Sequence, residues 1–194
     1  GISTFFNTAI ESIFVPSSVE IIDPRAFNSP TLKTIEVSEN NEYYCSIDGN
    51  LYSKDGKTLV SHATGKEKKE FIVPQTVTKI FGSAFTSPYL ERVVLHDGIV
   101  ELGDNIFYQC EALKEVVLSK SLKEISWLFT FGCVQLKFIE YPEGVETLGF
   151  GVLAGLDEVV IPLTIKTIND MNVKEGLNLY YKGTAETWAQ VKKH

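Results

Sequence analysis

The sequence has no surplus of positive charge, no long apolar run and few cysteines. Of its 194 residues, 18 are Lys or Arg and 25 are Asp or Glu, which gives a formal net charge of −7. A protein that follows nucleic-acid phosphates needs the opposite balance, so we expect no nucleic-acid partner. No apolar stretch reaches the roughly 18 residues of a membrane span. Three cysteines are too few for a disulfide-held fold.

Motifs for catalysis and metal binding are missing as well. The three histidines, His62, His96 and His194, have no metal-ligand spacing to one another or to cysteine. The sequence contains no His-Glu-x-x-His, Cys-x-x-Cys, phosphate loop or Gly-x-Ser-x-Gly elbow. We therefore expect no enzyme activity, no metal and no cofactor, although an active site assembled from distant segments would escape this search.

What the sequence does contain is an internal repeat. Leu90, Leu113 and Leu136 lie 23 residues apart, and each is followed by apolar residues three and five positions later. The pattern recurs in Ile10/Ile13/Val15, Leu32/Ile35/Val37, Leu90/Val93/Leu95, Leu113/Val116/Leu118, Leu136/Ile139/Tyr141 and Leu156/Val159/Ile161. Behind it run a second column of apolar pairs, such as Val77 with Ile80, and a third column of Phe27, Phe85, Phe107, Phe129 and Leu153.

These columns predict a solenoid. Alternation at the last two apolar positions indicates a short strand with one buried face, which a proline such as Pro74 or Pro142 then ends. One unit cannot bury its own apolar face, but stacked units share a core, with parallel strands about 4.8 Å apart. We expect a right-handed, mainly β solenoid of roughly seven coils with a short C-terminal helix.

The repeat resembles the BspA-like (Treponema-type) leucine-rich repeat, Leu-x-x-Ile-x-Leu-Pro-x-x-Val-x-x-Ile-Gly-x-x-Ala-Phe-x-x-Cys. The resemblance is carried by Ile80–Phe85, by Leu102–Cys110 and by Ser18 through Phe27. It implies a leucine-rich-repeat right-handed solenoid of the α/β superhelix class, in a bacterial protein that is secreted or displayed at the cell surface.

The chain is expected to form one leucine-rich-repeat domain over residues 1–194, and the missing initiator Met predicts that it is a fragment of a longer chain. Asp-Gly turn signals in residues 39–69 predict one or two β-hairpins, which either extend the sheet or form a binding loop. Residues 177–194 predict a capping helix with Thr184 as N-cap. Phe5 and Phe6 either cover the edge of the first coil or mark a preceding repeat.

Cys110 and Cys133 are also 23 residues apart, so the repeat stacks them on adjacent coils. Ser29 and Ser87 occupy the same register, which indicates a site that requires a small residue. In-register stacking misdirects the Cβ vectors for a bridge, so free buried thiols are favoured over a disulfide.

One column points away from the core. The residue between the two inward strand positions is apolar in six of eight coils and is read as Phe14, Glu36, Ile72, Val94, Val117, Glu140, Val160 and Tyr180. Such residues are common in strands for propensity alone, but an apolar stripe on an open sheet is also typical of an interaction surface. The candidate ligand-binding residues are Phe14, Ile72, Val94, Val117, Glu140 and Val160, flanked by Arg92, His96, Glu115, Phe138 and Glu158.

Two functions fit this pattern. The first is a non-enzymatic protein-binding module, and the resemblance implies adhesion to host or neighbouring-cell proteins. The second is a structural spacer or stalk that carries other domains. Neither the oligomeric state nor the ligand follows from the repeat.

Overall fold

The computed structural model describes residues 4–5, 8–169 and 173–194. It is a β-solenoid of about eight turns, and its described residues also form one short C-terminal α-helix and a 3-10 helix at Pro24–Phe27. In chain order the strands are β1 (Ser12–Val15), β2 (Thr34–Val37), β3 (Tyr44–Ile47), β4 (Asn50–Ser53), β5 (Thr58–Ser61), β6 (Glu70–Ile72), β7 (Lys79–Ile80), β8 (Arg92–Val94), β9 (Glu101–Leu102), β10 (Glu115–Val117), β11 (Glu124–Ile125), β12 (Phe138–Glu140), β13 (Thr147–Leu148), β14 (Glu158–Ile161), β15 (Thr167–Ile168), β16 (Asn178–Tyr181) and β17 (Lys192–Lys193).

Each turn carries one strand on a first side and, in most coils, a shorter strand on a second side. The first-side strands β1, β2, β6, β8, β10, β12, β14 and β16 come from the Leu-x-x-Ile-x-Leu segments and their last equivalent. They pair in parallel one repeat apart, so Val93 faces Phe71 on one neighbour and Val116 on the other. The predicted fold is therefore confirmed. The structure has about eight turns where roughly seven coils were expected, and β16, with Tyr180, belongs to the last of them.

The first side is not one continuous sheet, as a uniform repeat would suggest. It is divided into β1–β2, β6–β8–β10 and β12–β14–β16. The second side is divided into β3–β4–β5–β7–β9 and β11–β13–β15–β17. The coil that holds β10 and β11 therefore contributes to two different sets of sheets. Its strand β10 pairs with the preceding coil, and its strand β11 pairs with the following one.

The core runs along the solenoid axis between the two sides. One cluster of buried residues extends from Tyr52 to Val191, and a smaller one holds Val15, Phe27 and Leu32. The third column forms an aromatic stack, in which the Phe107 ring lies 5.2 Å from both the Phe85 and Phe129 centroids. The three apolar columns of the sequence are therefore the core of the protein.

The insert at residues 39–69 folds as two successive antiparallel hairpins, β3–β4 and β4–β5. The first hairpin has the two-residue loop Asp48-Gly49, with φ values of 50° and 68°, which only a type I′ turn requires at both positions. Strand β5 then pairs in parallel with β7. The hairpins thus extend the second-side sheet, and Leu51 and Leu59 are fully buried in the core.

The C-terminal end of the solenoid is covered by a helix. The predicted C-terminal helix, α1 (Ala185–Gln190), begins at Thr184, whose hydroxyl accepts the Thr187 N–H at 3.3 Å. Trp188 packs against Tyr181 with ring centroids 5.0 Å apart. At the other end, the Phe5 ring stacks on Phe27 at 6.3 Å, whereas Phe6 lies outside the described residues.

Candidate binding surface

The outward side chains of the first-side strands form a surface that we call the strand face. Phe14 and Ile72 are each 59% exposed, Tyr180 is 53% exposed and Val117 is 36% exposed. Val94 and Val160 are only half-buried, because each lies on the central strand of its sheet with neighbours on both sides. The structure therefore places apolar side chains on this surface as three separate groups, one on each sheet.

Charged residues on the strand face neutralise one another across coils. Arg92 contacts Glu70 through Nη1 at 2.5 Å and Glu115 through Nε at 2.9 Å. At the strand ends, Glu91 accepts from Lys114 at 2.7 Å and from Lys69 at 2.8 Å. These lysines, Lys114 first, lower the pKa of Glu91 to about 2.

The C-terminal sheet has its own ion pair, in which Lys182 contacts Glu140 at 2.7 Å. Of the candidate residues, Arg92, Glu115 and Glu140 are thus held by other residues of the chain, while Phe138 is exposed. Glu158 faces Phe138 across the β12–β14 ladder. A ligand on the strand face would meet apolar side chains between neutralised charges.

His96 is less available to a ligand than its position in the sequence indicates. Its Nδ1 accepts the N–H of Gly98 at 3.0 Å, which leaves the proton on Nε2. Nε2 then donates to the carbonyl oxygen of Pro74 at 3.0 Å. Both ring nitrogens are occupied by main-chain groups, so His96 connects two coils and does not offer a free donor to a ligand.

The two stacked cysteines are free and buried, as expected. Cys133 donates through Sγ to the carbonyl of Phe107 at 3.1 Å, as Ser29 and Ser87 in the same register donate to main-chain carbonyls. Burial raises the pKa of Cys133 to about 12 and that of Cys110 well above its ordinary value. Both thiols therefore stay protonated, and neither is a nucleophile at neutral pH.

Sequence reasoning missed a second group of exposed aromatic side chains, which lies outside the first-side strands. Trp127 is exposed and lies 6.4 Å from Phe150, and Phe131 stacks on Tyr108 at 5.8 Å with an interplanar angle of 9°. The signal was available in the sequence, because Trp127 and Phe150 each follow a second-column residue by two positions. These residues provide a comparison surface for experiments on the strand face.

Within residues 4–5, 8–169 and 173–194, no group of three or more His, Cys, Asp or Glu side chains is arranged to hold a metal ion. In the same ranges no helix has the length and apolar character needed to cross a bilayer.

Parallel strands stacked one repeat apart, with leucine columns inside, define a leucine-rich-repeat β-solenoid. The chain belongs to the family of the BspA-type leucine-rich repeat region, whose model matches residues 1–53 and 64–178 in six copies. Of the unmatched residues, 54–63 lie within the hairpin insert and 179–194 include the C-terminal helix. No curated protein matches the chain.

Several solved structures share this fold. A leucine-rich cell surface protein from Faecalibacterium prausnitzii is 28% identical, with a TM-score of 0.83 over 98% of this chain and 52% of that one. The pneumococcal vaccine antigen PcpA is 20% identical, with a TM-score of 0.68 over 90% of this chain and 56% of that one. A leucine-rich repeat protein from Eubacterium ventriosum is 23% identical, with a TM-score of 0.67 over 92% and 59%. The chain spans little more than half the length of these proteins.

Proposed function

We propose that this chain is a non-enzymatic protein-binding module of a bacterial cell-surface or secreted protein, and that it serves adhesion. The observation that carries the proposal is the strand face, where Phe14 is exposed on β1 and where Ile72 and Val117 are exposed beside charges already paired with one another. Exposed apolar side chains with a polar surround are typical of protein interaction sites. Similarity to a cell surface protein of F. prausnitzii supports the location.

Glutamate substitutions on the strand face are expected to weaken partner binding about five- to thirtyfold. Ile72→Glu and Phe14→Glu each place a charge where an apolar contact is proposed, and loss of one central contact costs about 1–2 kcal/mol in an interface. Both side chains are exposed, so the fold should be unchanged. Binding is measured by surface plasmon resonance against immobilised extracellular-matrix and serum proteins.

Trp127→Glu is the matched control, because it introduces the same charge at an exposed aromatic residue outside the strand face. It should change the affinity less than twofold. Equal effects of all three substitutions would contradict a specific strand-face site. A chain that binds none of the proteins, and whose coils can be deleted from the full-length protein without loss of adhesion, would instead be a spacer.

A further inference from the structure

The break between β10 and β12 opens a cleft in the first side. On the two flanking pairs the strands are closely bonded: Leu95 donates its N–H to the Val117 carbonyl at 2.8 Å, and Tyr141 donates to Val160 at 3.0 Å. Within residues 8–169 no equivalent bond joins Leu118 to Glu140. The two strands therefore face each other without forming a ladder.

Ladder geometry identifies the main-chain groups that face the cleft. In a parallel sheet, the N–H and C=O of alternate residues point to the same neighbouring strand. The Glu115 N–H and the Val117 carbonyl bond to the β8 coil, so the Val116 N–H and C=O face β12. By the same alternation, the Glu140 N–H and C=O face β10. Each wall of the cleft thus presents both donors and acceptors.

The cleft measures about 610 Å³, with Val116, Val117 and Leu118 on one wall and Phe138, Ile139 and Glu140 on the other. Its floor is apolar, because Val116 and Ile139 occupy inward strand positions. Val116 is only half-buried, whereas Val93 and Ile139, in the same register on β8 and β12, are fully buried. A core position is therefore open to solvent here.

A second break, between β9 and β11 on the second side, is bridged by side-chain hydrogen bonds. Between β9 and β11, Ser119 donates its hydroxyl to the Ile99 carbonyl at 2.6 Å, and Ser126 donates to Leu102 at 2.5 Å. Ser121 likewise donates to the Asp97 carbonyl at 2.6 Å. In the described part of the chain, no side chain makes such a bond to the main chain of Val116 or Glu140.

We propose that the cleft receives an extended peptide segment of a partner protein, which pairs as an added strand with both β10 and β12. The proposal rests on the protein-binding function above and specifies how part of the partner is held. An extended main chain is the ligand that satisfies donors and acceptors on two facing strand edges at once. Its inward side chain must be apolar, because it contacts Val116 and Ile139.

Insertion requires movement. Two strand spacings need about 9.6 Å between β10 and β12, and some Cα atoms across the cleft lie within 8 Å. The two coils must therefore tilt apart by a few ångströms on the first side, while the β11–β13 pairing holds them together on the second side. Since no ladder bond joins the strands, this separation breaks none of the sheet's hydrogen bonds on the first side.

Amide hydrogen exchange of the full chain, followed by NMR, tests the free edges. The amides of Val116 and Glu140 are expected to exchange at least 100-fold faster than the paired amides of Val117 and Ile139. Equal protection of the four amides would overturn the proposal, because the edges would then be closed. Protection that appears with rising protein concentration alone would also overturn it, since the occupant would be a second copy.

A model peptide tests occupancy. The probe is an acetylated, amidated octapeptide of alternating Thr and Val with Lys at both ends, added up to about 1 mM. It should protect the Val116 and Glu140 amides, and its N-methylated form, which lacks one central donor, should bind at least tenfold more weakly. No protection, or equal binding of both forms, would overturn strand pairing.

Variants distinguish this inference from the proposed function. Glu140→Pro removes the cleft-facing N–H, whereas Glu140→Ala removes the same carboxylate and keeps that donor. Peptide and partner should bind Glu140→Pro at least tenfold more weakly than Glu140→Ala. If Ile72→Glu abolishes partner binding and folded Glu140→Pro leaves it intact, the insertion fails while the strand-face proposal stands. If Glu140→Pro does not fold, the N-methylated peptide decides.

Discussion

Replacing Phe107 with Ala is expected to lower the free energy of unfolding by about 3–5 kcal/mol. The ring is fully buried and lies in the middle of the aromatic stack, with Phe85 and Phe129 each 5.2 Å away. Close-packed coils on both sides prevent the cavity from collapsing, so the lost contacts are not replaced. Urea denaturation followed by circular dichroism at neutral pH measures the change.

Phe131→Ala is the control for this experiment. It deletes the same side chain from an exposed position, where the Phe131 ring stacks on that of Tyr108. Its effect should stay below about 1 kcal/mol. If Phe107→Ala cost no more than Phe131→Ala, the third column would not be the packed interior described above.

Acidification from pH 6.5 to pH 4.5 is expected to cost about 2 kcal/mol of stability through one residue, His62. His62 is fully buried against Phe71 and Phe85, with ring centroids 4.8 and 5.7 Å away. Among the described residues, neither ring nitrogen has a hydrogen-bond partner. Burial, aided by Lys66 and Lys68, lowers the pKa of His62 from 6.5 to about 3.

The sign follows from that shift. The unfolded chain binds a proton near pH 6.5, while the folded chain resists it until about pH 3. The stabilisation is therefore complete above pH 6.5 and is lost as the pH falls from 6.5 towards 3. Denaturation curves at several pH values measure this slope.

His62→Phe separates this residue from the exposed carboxylates. Phenylalanine has a similar shape, does not titrate and suits the contact with Phe71 and Phe85. The variant should be at least as stable at pH 7, because two unpartnered nitrogens are removed. It should also lose most of the slope between pH 6.5 and 4.5. An unchanged slope would assign the acid sensitivity to other groups.

The fold was predictable because every repeat places apolar residues at the same positions, and these must all be buried. Leucine columns such as Leu90, Leu113 and Leu136 can be buried together only if the coils stack in register, and no other arrangement satisfies all three columns. The Asp48-Gly49 turn and the Thr184 cap were predictable for a local reason. Each depends on backbone preferences of a few adjacent residues.

The break between β10 and β12 was not predictable in this way. Leu113 and Leu136 keep the 23-residue spacing across it, and Val116 and Ile139 keep the inward pattern. Whether two adjacent strands form a ladder depends on how their coils pack along the whole length, and residue spacing does not record that packing.

The sequence predicted which side chains of the candidate surface point outward, but it did not predict the contacts that the charged residues and His96 make. Period-two alternation places Ile72 and Val117 outward on any strand, so their exposure followed from the sequence. The pairing of Arg92 with two glutamates and the occupation of both His96 nitrogens depend on neighbours one coil away. Such contacts require the coordinates, because the repeat fixes the register but not the side-chain rotamers.

The coil that holds β10 and β11 also has a consequence for cooperativity. The stability of a solenoid is approximately the sum of the intrinsic terms of its coils and the coupling between nearest neighbours. At the coil of β10 and β11 this coupling is divided, since β10 belongs to the preceding sheet and β11 to the following one. We therefore expect strand pairing to couple this coil less strongly to its neighbours, so that the packed interior from Tyr52 to Val191, including the contact of Phe107 with Phe129, carries more of the coupling.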